Sequence, residues 1–529
     1  MLNIIPYPNV VKINNGEFHL PEYIECEYGD FEAWCVCAFM ERACLNIADN
    51  QDSKLKLIRD ATLHREGYIL EITNSYILIK ASDEIGVINA LTTFVNLIEN
   101  RKVSCCYIED EPRYSHRGLN LDCTRHYFPV STVKKIIEEI SLVRMNVLHW
   151  HISDDQGYRI ESKVFPKLNE VSGEYYSHDE VSEIVEFARL RGVEIIPEID
   201  LPGHVSAILA VYPEYGCFGK HVSVATCGGI YPIILCPGKD ETFNFLEQLL
   251  EEVIPLFPGS RFHIGGDEAP KSEWEKCSYC TSRMKELGVT EYEDLQGYFT
   301  ERVNNIINKH GKMSVCWNET LLANNYPPNI QIQYWTLQHR LSMQQFVEKG
   351  GQWIYSDMFE VYFDYPYSMS SVKKVYKTIP HLGKQSFADN KGLLGMEACM
   401  WTEHVDNSKR LEELLFPRIY AFAEICWSLN RDYSCFIKRL KQVILSPIHE
   451  GISFTDEDWW EPKGKARRTE AINYAIGIMS SMPEEVREET IKSTKPSREF
   501  AMSFMRKFFK LTDIPFLLRA LAKARKKQT

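Results

Sequence analysis

Positive charge is in short supply in this chain, where 60 Lys and Arg face 73 Asp and Glu for a formal net charge of −13. A nucleic-acid-binding protein needs a basic face or stripe, so this balance argues against nucleic acid as a partner. No apolar run approaches the roughly 20 residues of a membrane span, which excludes a helical anchor within the sequence. The opening Met1-Leu-Asn-Ile-Ile-Pro-Tyr-Pro8 has no basic start, no long apolar stretch and no small-residue cleavage site. The expectation is a cytoplasmic chain. No Gly-rich dinucleotide turn appears, which disfavours a doubly wound nucleotide-binding sheet. Internal repeats and low-complexity tracts are absent as well.

Cysteine is not scarce. Of the 16 cysteines, Cys316, Cys399 and Cys426 sit inside apolar runs. Without an export signal such residues read as buried reduced thiols rather than disulfides. Cys277-Ser-Tyr-Cys280 has the spacing of a ligand pair, but a structural zinc site takes a second pair and none is evident nearby in the sequence. The expectation is no metal and no cofactor.

A length of 529 residues accommodates two or three domains. Residues 1–112 alternate strand-like runs (68–73 and 76–80) with helical patterns such as 84–99, which predicts a small N-terminal α/β domain. From Gly118 the rhythm becomes strand, loop, helix. Strand candidates fall at 118–122, 146–151, 193–199, 262–264, 313–317, 330–335, 353–356 and 393–398, with Ser131 as a helix cap and a helix over 178–191. Eight strands, most followed by a helix, predict a (β/α)8 TIM-type barrel over residues 113–430. Residues 431–529 carry helical patterns and end in a basic amphipathic stretch, Phe516 to Lys527, expected to be a solvated helix end or to pack its apolar face on the barrel rather than to touch an anionic surface.

Catalytic groups of such a barrel lie at the C-terminal ends of its strands. Strand 4 closes as Arg261-Phe-His-Ile-Gly-Gly-Asp-Glu268. The two glycines permit a sharp turn that leaves adjacent carboxylates Asp267 and Glu268 at the mouth, in different surroundings. Such a pair can hold a protonated acid beside an ionised partner. The first strand is preceded by Arg117 and ends at Asp122 with Arg125 and His126 just beyond, and the other strand ends supply Asp154 and Asp155, Asp200 and His204, Trp317, Trp335, Tyr362 and Asp364, and Trp401 with Glu403. Carboxylates and an Arg can fork sugar hydroxyls, and tryptophans can stack on a sugar face. His149 and His151 share one face of a strand, so a metal-dependent barrel hydrolase using Asp200 or His204 is one alternative. A non-catalytic sugar-binding protein that keeps the pocket is another.

Five segments in this order resemble family 20 glycoside hydrolases, the β-N-acetylhexosaminidases. They are residues 116–129, 148–157, 197–204, 263–268 and 401–403, and the Ile5-Pro-Tyr-Pro8 opening resembles the start of the family's N-terminal domain. The resemblance implies an exo-acting retaining hydrolase of terminal GlcNAc or GalNAc, acting on a small glycan or glycoconjugate. It implies substrate-assisted catalysis, in which the substrate's own 2-acetamido oxygen is the nucleophile and an oxazolinium ion the intermediate. By the same resemblance Glu268 is the general acid and base, with a raised pKa. Asp267 stays ionised and accepts the acetamide N–H, while Tyr362 donates to the acetamide oxygen. Trp317, Trp335 and Trp401 enclose the sugar, and Arg117, Asp364 and Glu403 hold its hydroxyls. His204, held by Asp200, stands near Glu268, with Asp154 and Asp155 in support. Asn318 and Tyr158 depart from the family's common residues, and no match to its outer-subsite aromatic is evident.

Overall fold

The computed structural model describes residues 2–47, 54–382, 385–386, 392–494 and 498–520. Near the N-terminus a six-stranded mixed sheet runs in the order Val10–His19, Lys102–Asp110, Tyr68–Ile72, Ile77–Ala81, Leu55–Arg59, Cys26–Glu27. Strands Tyr68–Ile72 and Ile77–Ala81 bury every other side chain against the helix Glu84–Asn96, as their period-2 pattern requires. That helix starts where Asp83 accepts the Gly86 N–H.

Eight parallel strands then close a barrel: His116–Asp122, Val147–His151, Glu194–Glu198, Arg261–His263, Met313–Trp317, Ile330–Tyr334, Gln352–Tyr355 and Leu393–Met400. Their residues are buried almost throughout, as expected for a sheet covered by helices outside and filled by side chains inside. The helix expected over 178–191 spans His178–Arg189, opened by a reciprocal Ser177 and Glu180 capping box. Ser131 is not a cap. It lies inside Val130–Leu142, and Pro129 holds the N-cap position with its fixed φ.

The barrel interior is unusually polar. Glu198 accepts the Trp317 indole N–H at 2.8 Å and pairs with His149, His151 and His263. Glu397 stands 2.8 Å from both His116 and His149. His149 and His151 do point inward together, each held between carboxylates. Burial opposes the charge on Glu198, yet the three imidazoles keep its pKa well below the usual carboxylate range.

Past Met400 no strand occurs among the described residues. Helix Gly464–Ser481 and the segments after it fold back over the barrel. Tyr365 meets Tyr474 and Phe508 edge-on, at 5.7 and 5.0 Å between ring centres. Leu517 is buried in the same apolar cluster. Of the basic stretch Phe516 to Lys527, residues 521–527 lie outside the described residues.

Two further expectations change at this level. Arg117 is the second residue of the first barrel strand, so it sits at the N-terminal end of the barrel. Its guanidinium donates to Glu66 at 2.6 Å and to the carbonyls of Arg144 and Tyr114 at 2.8 Å, and lies over the Trp427 ring. It docks the N-terminal domain rather than reaching the mouth. The pair Cys277 and Cys280 does have a second pair in space, because Cys217 and Cys236 fold against it.

Candidate active site

The turn after the fourth strand places the paired carboxylates. Gly265 and Gly266 take φ of +66° and +103°. A Cβ on Gly265 would lie 1.6 Å from Asp200 Oδ1, and one on Gly266 2.5 Å from Thr320 Oγ1. Only glycine fits either position. The Gly266 N–H donates to Asp200 Oδ1 at 3.3 Å, and Gln296 Nε2 donates to the Gly266 carbonyl at 2.7 Å. Glu268 and His204 both have positive φ, 45° and 53°. Such backbones cost about 1–3 kcal/mol each and persist where the surroundings over-determine them.

His204 joins the carboxylates. Its Nε2 is 3.5 Å from Glu268 Oε2 and 3.9 Å from Asp267 Oδ2. Its Nδ1 stands 3.3 Å from both Asp154 Oδ1 and Asp155 Oδ2. Asp154 and Asp155 therefore hold this imidazole, whereas Asp200 braces the glycine turn. Burial alone would depress the His204 pKa, but the Asp154, Asp155 and Glu268 carboxylates hold it well above the ordinary value. Asp267, 14% exposed, is pushed up to about 6 by burial, with the Glu268 charge adding to it and His204 opposing.

A cleft of about 820 Å³, open to solvent, faces these groups. Trp317, Trp335, Tyr362 and Trp401 wall it, together with Asp364, Glu403 and Arg125. Trp335 and Tyr362 lie nearly parallel at 17°, and Trp317 packs 5.8 Å from Trp401. The Trp335 indole donates to Glu319 at 2.7 Å. Burial and the nearby Asp267 raise the Glu319 pKa well above its usual range. Asp364 is pushed up to about 8 by burial and by Glu403. Asp267 Oδ1 and Asp364 Oδ1 are buried without a hydrogen-bond partner among the described residues. Unsatisfied acceptors of this kind are costly unless a donor is supplied.

The cleft thus brings together Asp267, Glu268, Tyr362, Trp317, Trp335, Asp364, Trp401 and Glu403, and leaves out Arg117. The guanidinium that does line it belongs to Arg125, paired with Asp154 at 2.8 Å and with Asp122 at 3.3 Å, 4.0 Å from Glu403 and over the Trp401 ring. The signal for it was its place three residues past the end of the first strand. Glu319 could have been found in the same way, two residues past the fifth. Tyr474, Ile478 and Met482 also line the cleft, and Tyr474 donates to Asp364 Oδ2 at 3.2 Å. Nothing local in a helix so far along the chain marks them.

Aromatic faces beside carboxylates and a guanidinium make a site shaped for a sugar ring and its hydroxyls. The chain belongs to glycosyl hydrolase family 20, with residues 114–430 matching the catalytic domain and residues 1–111 matching domain 2. A β-hexosaminidase of Porphyromonas gingivalis is 31% identical in an alignment 427 positions long that covers 74% of this chain but 55% of that protein. The chain therefore spans little more than half of that relative. A β-hexosaminidase of Vibrio furnissii is 28% identical, covering 80% of this chain and 76% of that one. The crystal structure of a Bacteroides fragilis β-N-acetylhexosaminidase superposes with a TM-score of 0.78 at 29% identity, over 85% of this chain and 96% of that one. An exo-β-N-acetylglucosaminidase of Vibrio harveyi in complex with N-acetylglucosamine superposes with a TM-score of 0.76 at 26% identity, over 86% and 78%.

Proposed function

We propose that this chain is an exo-acting, retaining β-N-acetylhexosaminidase that releases terminal β-linked GlcNAc or GalNAc from a small glycan or glycoconjugate. The observation that carries the reading is the juxtaposition of Asp267 and Glu268, within 3.9 Å of one imidazole, on the wall of an aromatic cleft. The N-acetylglucosamine bound to the Vibrio harveyi relative supports the same substrate class.

In this reading Glu268 gives its proton to the glycosidic oxygen as the bond from that oxygen to the anomeric carbon breaks. The substrate's acetamide oxygen closes on the same carbon and forms an oxazolinium ion. Water then adds at that carbon, its proton passing to Glu268, and the ring reopens with configuration retained. Asp267 Oδ1 accepts the acetamide N–H, and the Tyr362 hydroxyl steers the acetamide oxygen. Intramolecular attack replaces a bimolecular encounter, an advantage that reaches about 7–11 kcal/mol in well-oriented systems. Trp317, Trp335 and Trp401 clasp the sugar, and Arg125, Asp364 and Glu403 take its hydroxyls. His204, with Asp154 and Asp155 behind it, sets the charge beside Glu268. The helix bearing Tyr474 narrows the cleft, which suits removal of a terminal sugar.

The p-nitrophenyl β-glycosides of GlcNAc and GalNAc test the activity. Turnover of at least one is expected, with strong inhibition by a thiazoline mimic of the oxazolinium ion. A folded protein that binds the sugar without turning over either glycoside would sink the proposal, and indifference to the thiazoline would remove the internal nucleophile.

The two arginines give a second test. Arg125→Gln should cost about 10–100-fold in kcat/KM, the worth of a charged hydrogen bond of about 1.5–3 kcal/mol, and should also lower the melting midpoint, because buried Asp122 and Asp154 lose their guanidinium. Arg117→Gln leaves Glu66 buried and unpaired, so about 3–5 kcal/mol of stability should be lost while KM stays near wild type. Thermal melts and steady-state kinetics on both variants check the pair, and a loss of kcat/KM in folded Arg117→Gln with none in Arg125→Gln would put Arg117 back at the substrate.

A further inference from the structure

We propose that Cys217, Cys236, Cys277 and Cys280 bind one structural zinc ion that braces the loop carrying Asp267 and Glu268. All four side chains are buried, between 0% and 4% exposed. Their sulfurs lie within 4.8 Å of one another. Sγ–Sγ separations are 3.8 Å for Cys217 to Cys280, 3.8 Å for Cys236 to Cys277, and 3.6 Å for Cys236 to Cys280. Four thiolates about 2.3 Å from a central zinc form a tetrahedron with edges of about 3.8 Å. The spacing is far longer than the roughly 2.05 Å of a disulfide, and it matches the tetrahedral edge.

Three chain segments converge to build the cluster, and each has local features that serve a ligand knuckle. Cys217 and Cys236 lie on loops joined by the Cys236 N–H donating to the Tyr215 carbonyl at 2.9 Å. Cys277 is the N-cap of helix Ser278–Leu287 and Cys280 lies in its first turn, so the positive helix end favours thiolate at both. In Cys236-Pro-Gly-Lys239 the glycine is required by contact, since a Cβ on Gly238 would lie 2.3 Å from the Tyr279 carbonyl carbon. This close approach lets the two knuckles face each other. The Lys239 ammonium, donating to the carbonyls of Glu214 at 2.8 Å and Gly216 at 2.6 Å, supplies positive charge beside a centre that carries two net negative charges when zinc binds four thiolates.

Buried cysteines can also pack simply as small hydrophobes. Cys35, Cys106 and Cys426 are buried in that manner, and none belongs to a group of four converging sulfurs. Tetrahedral tetrathiolate geometry selects zinc or iron. A buried site in a hydrolytic fold has no electron to pass, which favours zinc. Binding displaces four thiol protons into solvent and involves no redox change.

None of the four cysteines lines the cleft. The connection to it runs through the chain, as Glu268 leads through Ala269 and Trp274 to Cys277. Ala269 packs on the cysteine cluster and the Trp274 indole donates to the Leu235 carbonyl at 2.8 Å. The metal would hold the far end of this segment and so keep the strained Glu268 backbone in place.

The full chain, produced with zinc available and purified under reducing conditions, should carry one zinc per molecule by elemental mass spectrometry. Titration with p-hydroxymercuribenzoate should release that zinc, and cobalt exchanged into the site should show the thiolate-to-metal charge-transfer bands of a tetrahedral tetrathiolate. Cys236→Ser/Cys277→Ser should lower bound zinc at least tenfold and lower the melting midpoint. The wild-type metal content and cobalt spectrum stand even if the variant does not fold. Folded wild-type protein with less than a tenth of an equivalent of zinc, iron in its place, two disulfides among these cysteines by intact mass, or full zinc retention in the double variant would each overturn the proposal.

Discussion

Glu268→Gln should lower kcat by about 10²–10⁴-fold on β-GlcNAc glycosides whose leaving group is another sugar, the range associated with one positioned general acid. An amide keeps the shape and the 3.5 Å approach to His204 but has no acidic proton to give. Its effect should shrink on substrates with acidic phenol leaving groups, which depart without protonation. Glu268→Ala should also respond to added azide, which needs no base and attacks the oxazolinium ion to give a β-glycosyl azide. Leaving-group dependence that is the same in variant and wild type would remove Glu268 from the acid role. An α-azide product would contradict retention.

Asp267→Asn should cost about 10²–10³-fold in kcat, comparable to deleting one preorganised partner of a developing charge. In the proposed mechanism the acetamide nitrogen gains positive character in the transition state, and an ionised Asp267 is the group assigned to meet it. Asparagine offers only a neutral carbonyl, and can turn its NH₂ toward the substrate instead. With the Asp267 pKa pushed up to about 6 by burial and by Glu268, part of the free protein holds this group protonated in mildly acidic solution. A protonated Asp267 stabilises positive charge poorly, so kcat/KM should fall as pH drops through about 6. The apparent value belongs to the interacting pair of carboxylates. Asp267→Asn should lose that acidic limb along with the rate. A limb that survives unchanged in the variant would assign the titration to another group.

These two residues were legible because their signal is local. A strand, two glycines and two carboxylates occupy eight consecutive positions, and the observed φ of Gly265 and Gly266 shows why no other residue could stand there. The barrel was legible for a related reason. Eight buried strands at regular spacing leave a period in the sequence that needs no knowledge of contacts, and all eight fall where the pattern puts them.

Direction along a strand was harder to use than its location. Arg117 and Arg125 are eight residues apart, yet the strand between them carries one to the N-terminal domain and the other to the cleft. The partner of His204 that the resemblance implies also differs from the one the structure gives. Asp200 is four residues away, but the imidazole turns to Asp154 and Asp155 from a different strand end.

By itself, then, the sequence determined the barrel, the turn that presents Asp267 and Glu268, and the residue types of the cleft, because periodicity and glycine stereochemistry act over a few neighbouring positions. Only the tertiary structure decided which arginine faces the cleft, that Tyr474 lines it, and that Cys217 and Cys236 meet Cys277 and Cys280. Those contacts join residues from 41 positions apart, Cys236 and Cys277, to 276 apart, Arg125 and Trp401. Burial and packing choose such partners, and no local spacing records the choice.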